Sequence, residues 1–181
     1  NDGASARMLL LEALEDPSLG HGRLGRAENG NAVLSGVEVE TFVADHAEQA
    51  RRHEIQWLWA DISQTNGDYH FANLLLENKG SERGWAVNAH NVPGPRHLLV
   101  LLKDPVEAGS RDAPALVRVR LKYESSYAQH VFGRVRLTLG TLSDAARLPL
   151  EQSHAWLVGP FPTSGEPDLY AAQFGPEKAT T

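Results

Sequence analysis

Between Asp61 and His97 the chain carries Tyr69, His70, Trp85, His90 and Asn91, residue types suited to holding a sugar. An aromatic face accepts the apolar C–H side of a pyranose ring, and imidazole and amide groups exchange hydrogen bonds with its hydroxyls. Tyr69 and His70 follow an Asn66-Gly67 turn, and His90 and Asn91 precede a Pro/Gly turn. Loops of this kind carry binding residues. Each side chain also has a plainer reading. Core packing accounts for Trp85, beside Gly84, and for Trp57 and Trp59 on an alternating stretch. A solvated loop accounts for the others one at a time.

A second set of residues could hold a cation. Residues 15–32 (EDPSLGHGRLGRAENGNA) form a long Gly-, Asp- and Asn-rich loop containing Asp16, Asn29 and Asn31. A structured loop this long is held by a bound ion or by its own packing. Calcium takes oxygen ligands of these types.

Catalytic patterns are missing. There is no Gly-x-Ser-x-Gly elbow, no phosphate-cradling loop ending in Lys-Ser/Thr, and no His-Glu-x-x-His pair. Cysteine is absent, which removes disulfides, thiolate nucleophiles, Cys-ligated zinc and covalent haem from this chain. Two carboxylates facing each other across a cleft are conceivable among 23 acidic residues, so a hydrolase stands as a third reading. The expectation is a non-enzymatic domain.

The net charge of −6 argues against a nucleic-acid partner, whose phosphates need a basic face. No apolar run approaches the roughly 20 residues that span a bilayer. A length of 181 residues suits one domain with short appendages.

The elements that position these residues read as strands. Residues 8–14 (MLLLEAL) suit a buried first strand or one helical turn. Residues 33–43 alternate, with Val37, Val39, Thr41 and Val43 opposite Glu38 and Glu40. Residues 45–53 suit a short helix or a hairpin tip, and residues 54–63 place Ile55, Trp57 and Trp59 on one side. Leu98 to Leu102 suit a central strand. Residues 116–123 alternate cleanly, and residues 130–139 alternate with Val131, Val135, Leu137 and Leu139 inward. If neighbouring strands carry them, Arg118, Arg120, Lys122, Arg134 and Arg136 form a basic strip for sulfate or uronate groups. The plainer account is a solvated face balanced by Glu38 and Glu40. His97 and His130 read as structural. About seven short strands with almost no helical period point to an all-β antiparallel sandwich over residues 1–149. Residues 150–181, rich in Pro and Gly, read as an extended arm or the opening of a further module.

Six landmarks in order carry a resemblance: GRAENGNAVLSGVEVE, ADISQ, GWAVNAH, PRHLLVLL, HVFGRVRLTLGT, and WLVGPFP with FGPE. The chain resembles the β-sandwich segment of large secreted planctomycete proteins that also carry a c-type cytochrome, over residues 8–141 and the Trp156 to Phe161 signature. That segment is similar to galactose-binding-like jelly rolls, the fold of many carbohydrate-binding modules. The resemblance implies a bacterial secreted or periplasmic setting, with a polysaccharide or oligosaccharide and the neighbouring domains of a parent protein as partners. It also implies a structural calcium, ligated in such jelly rolls by an Ala-x-Asp-Gly loop seven residues before a Trp. Here Asn78 stands seven residues before Trp85 and is followed by Lys79 instead of Gly, which weighs against a metal in that loop. The resulting expectation is a non-catalytic carbohydrate-binding module, with a structural domain that positions a cytochrome or enzyme as the alternative.

Overall fold

The computed structural model of the chain describes residues 5–64, 67–76, 80, 83–141 and 156–158. The strands are β1 (Ser5–Ala13), β2 (Val33–Leu34), β3 (Gly36–Val43), β4 (Arg51–His53), β5 (Ile55–Ala60), β6 (Trp85–Ala86), β7 (Arg96–Glu107), β8 (Ala115–Lys122), β9 (Val135–Gly140) and β10 (Trp156–Val158). No α-helix occurs among the described residues; short 3-10 turns span Gly20–Gly22, Ala47–Gln49 and Phe71–Leu75. The all-β expectation holds.

A five-stranded sheet runs in the order β10-β5-β7-β1-β9, a three-stranded sheet in the order β4-β3-β8, and β2 pairs with β6. All of these pairings are antiparallel except β10 against β5, which is parallel. Trp156–Val158, from the stretch read as an arm, thus forms an edge of the main sheet. The rest of residues 150–181 lies outside the described residues.

The unbroken apolar runs explain the centre of the large sheet. Strands buried on both faces have no polar side to show, so they lose alternation. Leu9, Leu11 and Ala13 of β1 and Leu98, Val100 and Leu102 of β7 enter one core, facing Val37 and Val39 of β3 and Trp85 of β6. Met8, Leu10, Leu99 and Leu101 point to the opposite face and form a second buried cluster with Trp57 and Trp59. Ile55 does not join them. A register shift between Ile55 and Trp57 turns Ile55 toward the main core, so the three residues do not share a side.

The pairings Ala13↔Arg96, Ala60↔Leu98 and Ala13↔Val135 bring four strand ends together. The long loops 14–32, 61–84, 87–95 and 123–134 therefore emerge at one end of the molecule. The described residues singled out above for sugar stacking or calcium, namely Tyr69, His70, Trp85, His90, Asn91, Asp16, Asn29 and Asn31, lie in those loops or in the short β6.

Candidate functional site

The loop end is built by backbone pairing between its own segments. Ala86 N donates to Tyr69 O, Val87 N to Ala32 O, Val33 N to His130 O, and Gly133 N to Leu24 O. Gly84 makes one of these approaches possible: a Cβ there would lie 2.2 Å from Leu34 O. The close approach seats Trp85 with no exposed surface, and its Nε1 donates to Ile62 O at 2.8 Å. Trp85 is a core residue that meets Phe132 edge-on and offers no face to a ligand.

The proposed cation ligands have other work. Asp16 Oδ1 accepts from the backbone and hydroxyl of Ser18, and these bonds hold its carboxyl below the usual carboxylate range. Asn29 Oδ1 accepts from Asn31 N, and Asn31 Oδ1 accepts from Ala89 N in a buried position. The loop is held by its own hydrogen bonds, including Gly25 N to Gly30 O. Asn78 lies outside the described residues. Among the described residues no three His, Asp or Glu side chains gather to hold a metal ion.

His90 and Asn91 are exposed at the tip of the loop before β7, with Asn91 Nδ2 donating to Asn88 Oδ1. That loop is organised by a residue the sequence reading passed over. Arg96 is buried, and its guanidinium donates to Val87 O at 2.7 Å, Gly94 O at 2.8 Å, Pro95 O at 2.9 Å and Val92 O. Burial pulls its pKa down from the usual value, opposed by Asp61 and Glu15. A planar fork with five donors matches such a ring of carbonyls, which a single ammonium cannot.

Tyr69 has a partner that its sequence position does not reveal. Its hydroxyl donates to that of Tyr127 at 3.3 Å, and the two rings sit 5.8 Å apart. Tyr127 also lies 5.2 Å from the His130 ring and is 49% exposed. His70 turns away from this group: its ring stacks obliquely on Phe71 and its Nδ1 accepts from Ala72 N, capping a 3-10 turn. Burial lowers its pKa.

Two open clefts adjoin the loop that carries Tyr127. One, of about 640 Å³, is lined among others by Glu38, Arg52, Ile55, Leu75, Lys122 and Glu124. The other, of about 460 Å³, is lined among others by Asp16, Ser18, Arg26, Gln129 and Gly133. In chain order the loop passes from the first cleft at Glu124, through Tyr127, to the second at Gln129. Gln129 is held in the left-handed region, φ 61°, a conformation that costs a non-glycine residue about 1 kcal/mol or more.

No known protein family, curated protein or solved structure matches the chain.

The basic strip divides. Arg118, Arg120 and Lys122 lie on the three-stranded sheet and pair across strands with Glu40 and Glu38. The hydrogen bond from Lys122 lowers the Glu38 pKa, and that from Arg118 lowers the Glu40 pKa. Arg136 is on the five-stranded sheet, where it forks onto the buried Glu12, and Arg134 neighbours Asp16 at 3.9 Å. The plainer account, a balanced sheet face, fits the first three. His97 is structural as well, its Nδ1 2.8 Å from Asp61 Oδ2.

Proposed function

We propose that this chain is a non-catalytic carbohydrate-recognition domain of the galactose-binding-like jelly-roll type, working beside other domains of a secreted or periplasmic bacterial protein. The observation that supports the reading is the exposed Tyr127 ring, grouped with Tyr69 and His130, on a loop whose Glu124 lines one open cleft and whose Gln129 lines another. The ring is a stacking surface for one sugar. The hydroxyl, amide and guanidinium groups of Ser18, Gln129 and Arg26 in one cleft, and the charged rim of the other, suit hydroxyls and carboxylates on flanking sugars. Tyr69, His90 and Asn91 belong to the same loop end. The surface is shallow, so affinity is low, with Kd on the order of 0.1–1 mM.

The test is affinity gel electrophoresis against neutral and uronate-containing polysaccharides. Wild type is retarded on at least one gel, and Tyr127→Ala is not. If neither protein is retarded on any polysaccharide, the reading fails. A structural role, holding a neighbouring domain, rests on a different observation: Val135, Leu137 and Leu139 of β9 are exposed. It predicts no retardation at all.

A further inference from the structure

Tyr69 and Tyr127 are 58 residues apart in the chain, yet the loop end holds them ring to ring. Each is anchored by its own loop. Tyr69 O accepts from Ala86 N at 3.0 Å, which ties its backbone to β6. Tyr127 O accepts from His130 N at 3.4 Å, and its ring lies 5.2 Å from the His130 ring. The two hydroxyls are 3.3 Å apart and the ring centroids 5.8 Å apart, with the ring planes inclined at 56°. The phenol ends therefore converge, while the rings stay tilted and unstacked.

That arrangement has a chemical consequence. A phenol that gives up one electron and its proton becomes a phenoxyl radical, and the unpaired electron spreads to the ring carbons beside the oxygen. Two such radicals couple through those carbons. The product carries its two hydroxyls side by side, the relation Tyr69 and Tyr127 hold before any reaction. Two groups held together in this way react far faster than two that must meet by diffusion. Access favours the same pair. Tyr127 is exposed and Tyr69 half-buried, whereas Trp57, Trp59 and Trp85 are buried. Tyr123 sits edge-on to Phe132 against the core, and burial pushes its phenol pKa up.

We propose that Tyr69 and Tyr127 form an oxidative cross-linking site, joined as dityrosine by a one-electron oxidant of the haem-peroxidase class acting with hydrogen peroxide. Each ring loses one electron and its phenolic proton. A carbon–carbon bond forms between the two ortho positions, and the hydrogens on those carbons pass to the oxygens, restoring both phenols. The two electrons and two protons reduce one hydrogen peroxide to two waters. The link staples the loop before β6 to the loop before β9, closing a span of 58 residues. A cross-link over such a span narrows the unfolded ensemble, so the coupled protein melts at a higher temperature. The site depends on no sugar at Tyr127.

The test treats the full chain, at low protein concentration, with a haem peroxidase and hydrogen peroxide. The monomer mass falls by two hydrogens, dityrosine fluorescence rises, and a peptide map joins the peptide holding Tyr69 to the one holding Tyr127. The rate per molecule does not change on dilution. Tyr69→Phe and Tyr127→Phe, each with an unchanged far-UV spectrum, lose the intramolecular product by about tenfold or more. Tyr170→Phe keeps it. A wild type with no Tyr69–Tyr127 link under conditions that couple free tyrosine would overturn the proposal, as would a link found only between two molecules. An intramolecular product undiminished in Tyr69→Phe overturns it equally.

Discussion

Replacing Arg96 by Met should cost about 2–3 kcal/mol, the upper part of the range for leaving a buried acceptor without its charged donor. The magnitude follows from the cage around the guanidinium. Four carbonyls, those of Val87, Val92, Gly94 and Pro95, accept from it at 2.9 Å or less. Each charge-assisted bond contributes roughly 1.5–3 kcal/mol before any compensation. Removing the guanidinium also removes its desolvation cost, and the carbonyls of Val92, Gly94 and Pro95 lie in a loop where water can replace it. Val87 is buried, so its carbonyl is the one left without a donor. With a urea m-value of about 2 kcal/mol/M, the midpoint falls by about 1–1.5 M. Arg96→Lys should recover only part of the loss, because an ammonium has three donors. Hydrogen exchange in residues 88–95 should accelerate in both variants. A midpoint within about 0.5 M of wild type for Arg96→Met would refute the argument that this residue organises the loop bearing His90 and Asn91.

The Glu12–Arg136 fork is asymmetric, since Glu12 is buried and Arg136 is half-exposed. Arg136→Met, which takes the guanidinium fork from a buried carboxylate, should cost more than Glu12→Gln; chemical denaturation of the two variants checks the order. Stability should fall as the pH drops below about 6.5, the unfolded-state pKa of histidine. Burial, then Arg51, lowers the His53 pKa, and burial lowers that of His70. The unfolded chain therefore takes up protons there that the folded chain resists, and stability is complete only above the unfolded value. At His53 the backbone and carboxylate of Asp104 favour the protonated form but are outweighed by burial. The lowered carboxylates Glu38 and Glu40 add their loss only further down, in the carboxylate range. Urea midpoints at pH 7.5, 6.5 and 5.5 should decline for wild type and decline less for His53→Leu; a flat wild-type profile contradicts the assignment. Gly84→Ala should unfold at a temperature several degrees lower, because its Cβ would overlap Leu34 O and push β6 off β2; calorimetry decides.

Alternation made much of this fold legible. It separated the outward Glu38 and Glu40 from the inward Val37 and Val39, and it placed Leu98 to Leu102 in mid-sheet. It failed where pairing departs from period two. The shift beside Gln56 moves Ile55 off the face of Trp57 and Trp59, and nothing in a list of residue types announces a bulge. Residues 130–134 alternate like the strand that follows, yet the strand starts at Val135. Phe132 instead bridges to Gly25, in the loop after β1. β2 and β6 are too short to carry a pattern. The candidate site was half legible. Tyr69, His90 and Asn91 were recognisable as loop residues of useful chemistry. Tyr127 was not, because its partner Tyr69 is far away in the chain and only the strand order brings them together. Trp85 reads equally as core or as platform from its residue type, because its burial depends on the close approach of the chain at Gly84.

The position of β1 in the strand order bears on how the chain is made. Strand β1 ends up between β7 and β9, which emerge from the ribosome roughly 90 and 120 residues after it; at about 5–20 residues per second that is a wait of roughly 5–25 seconds. Through that interval an aliphatic segment with no hairpin mate of its own is open to wrong pairings. Its native neighbours are distant in sequence, which slows folding after release as well. Anything that shields Met8 to Leu11 until β7 and β9 have emerged therefore favours the native sheet.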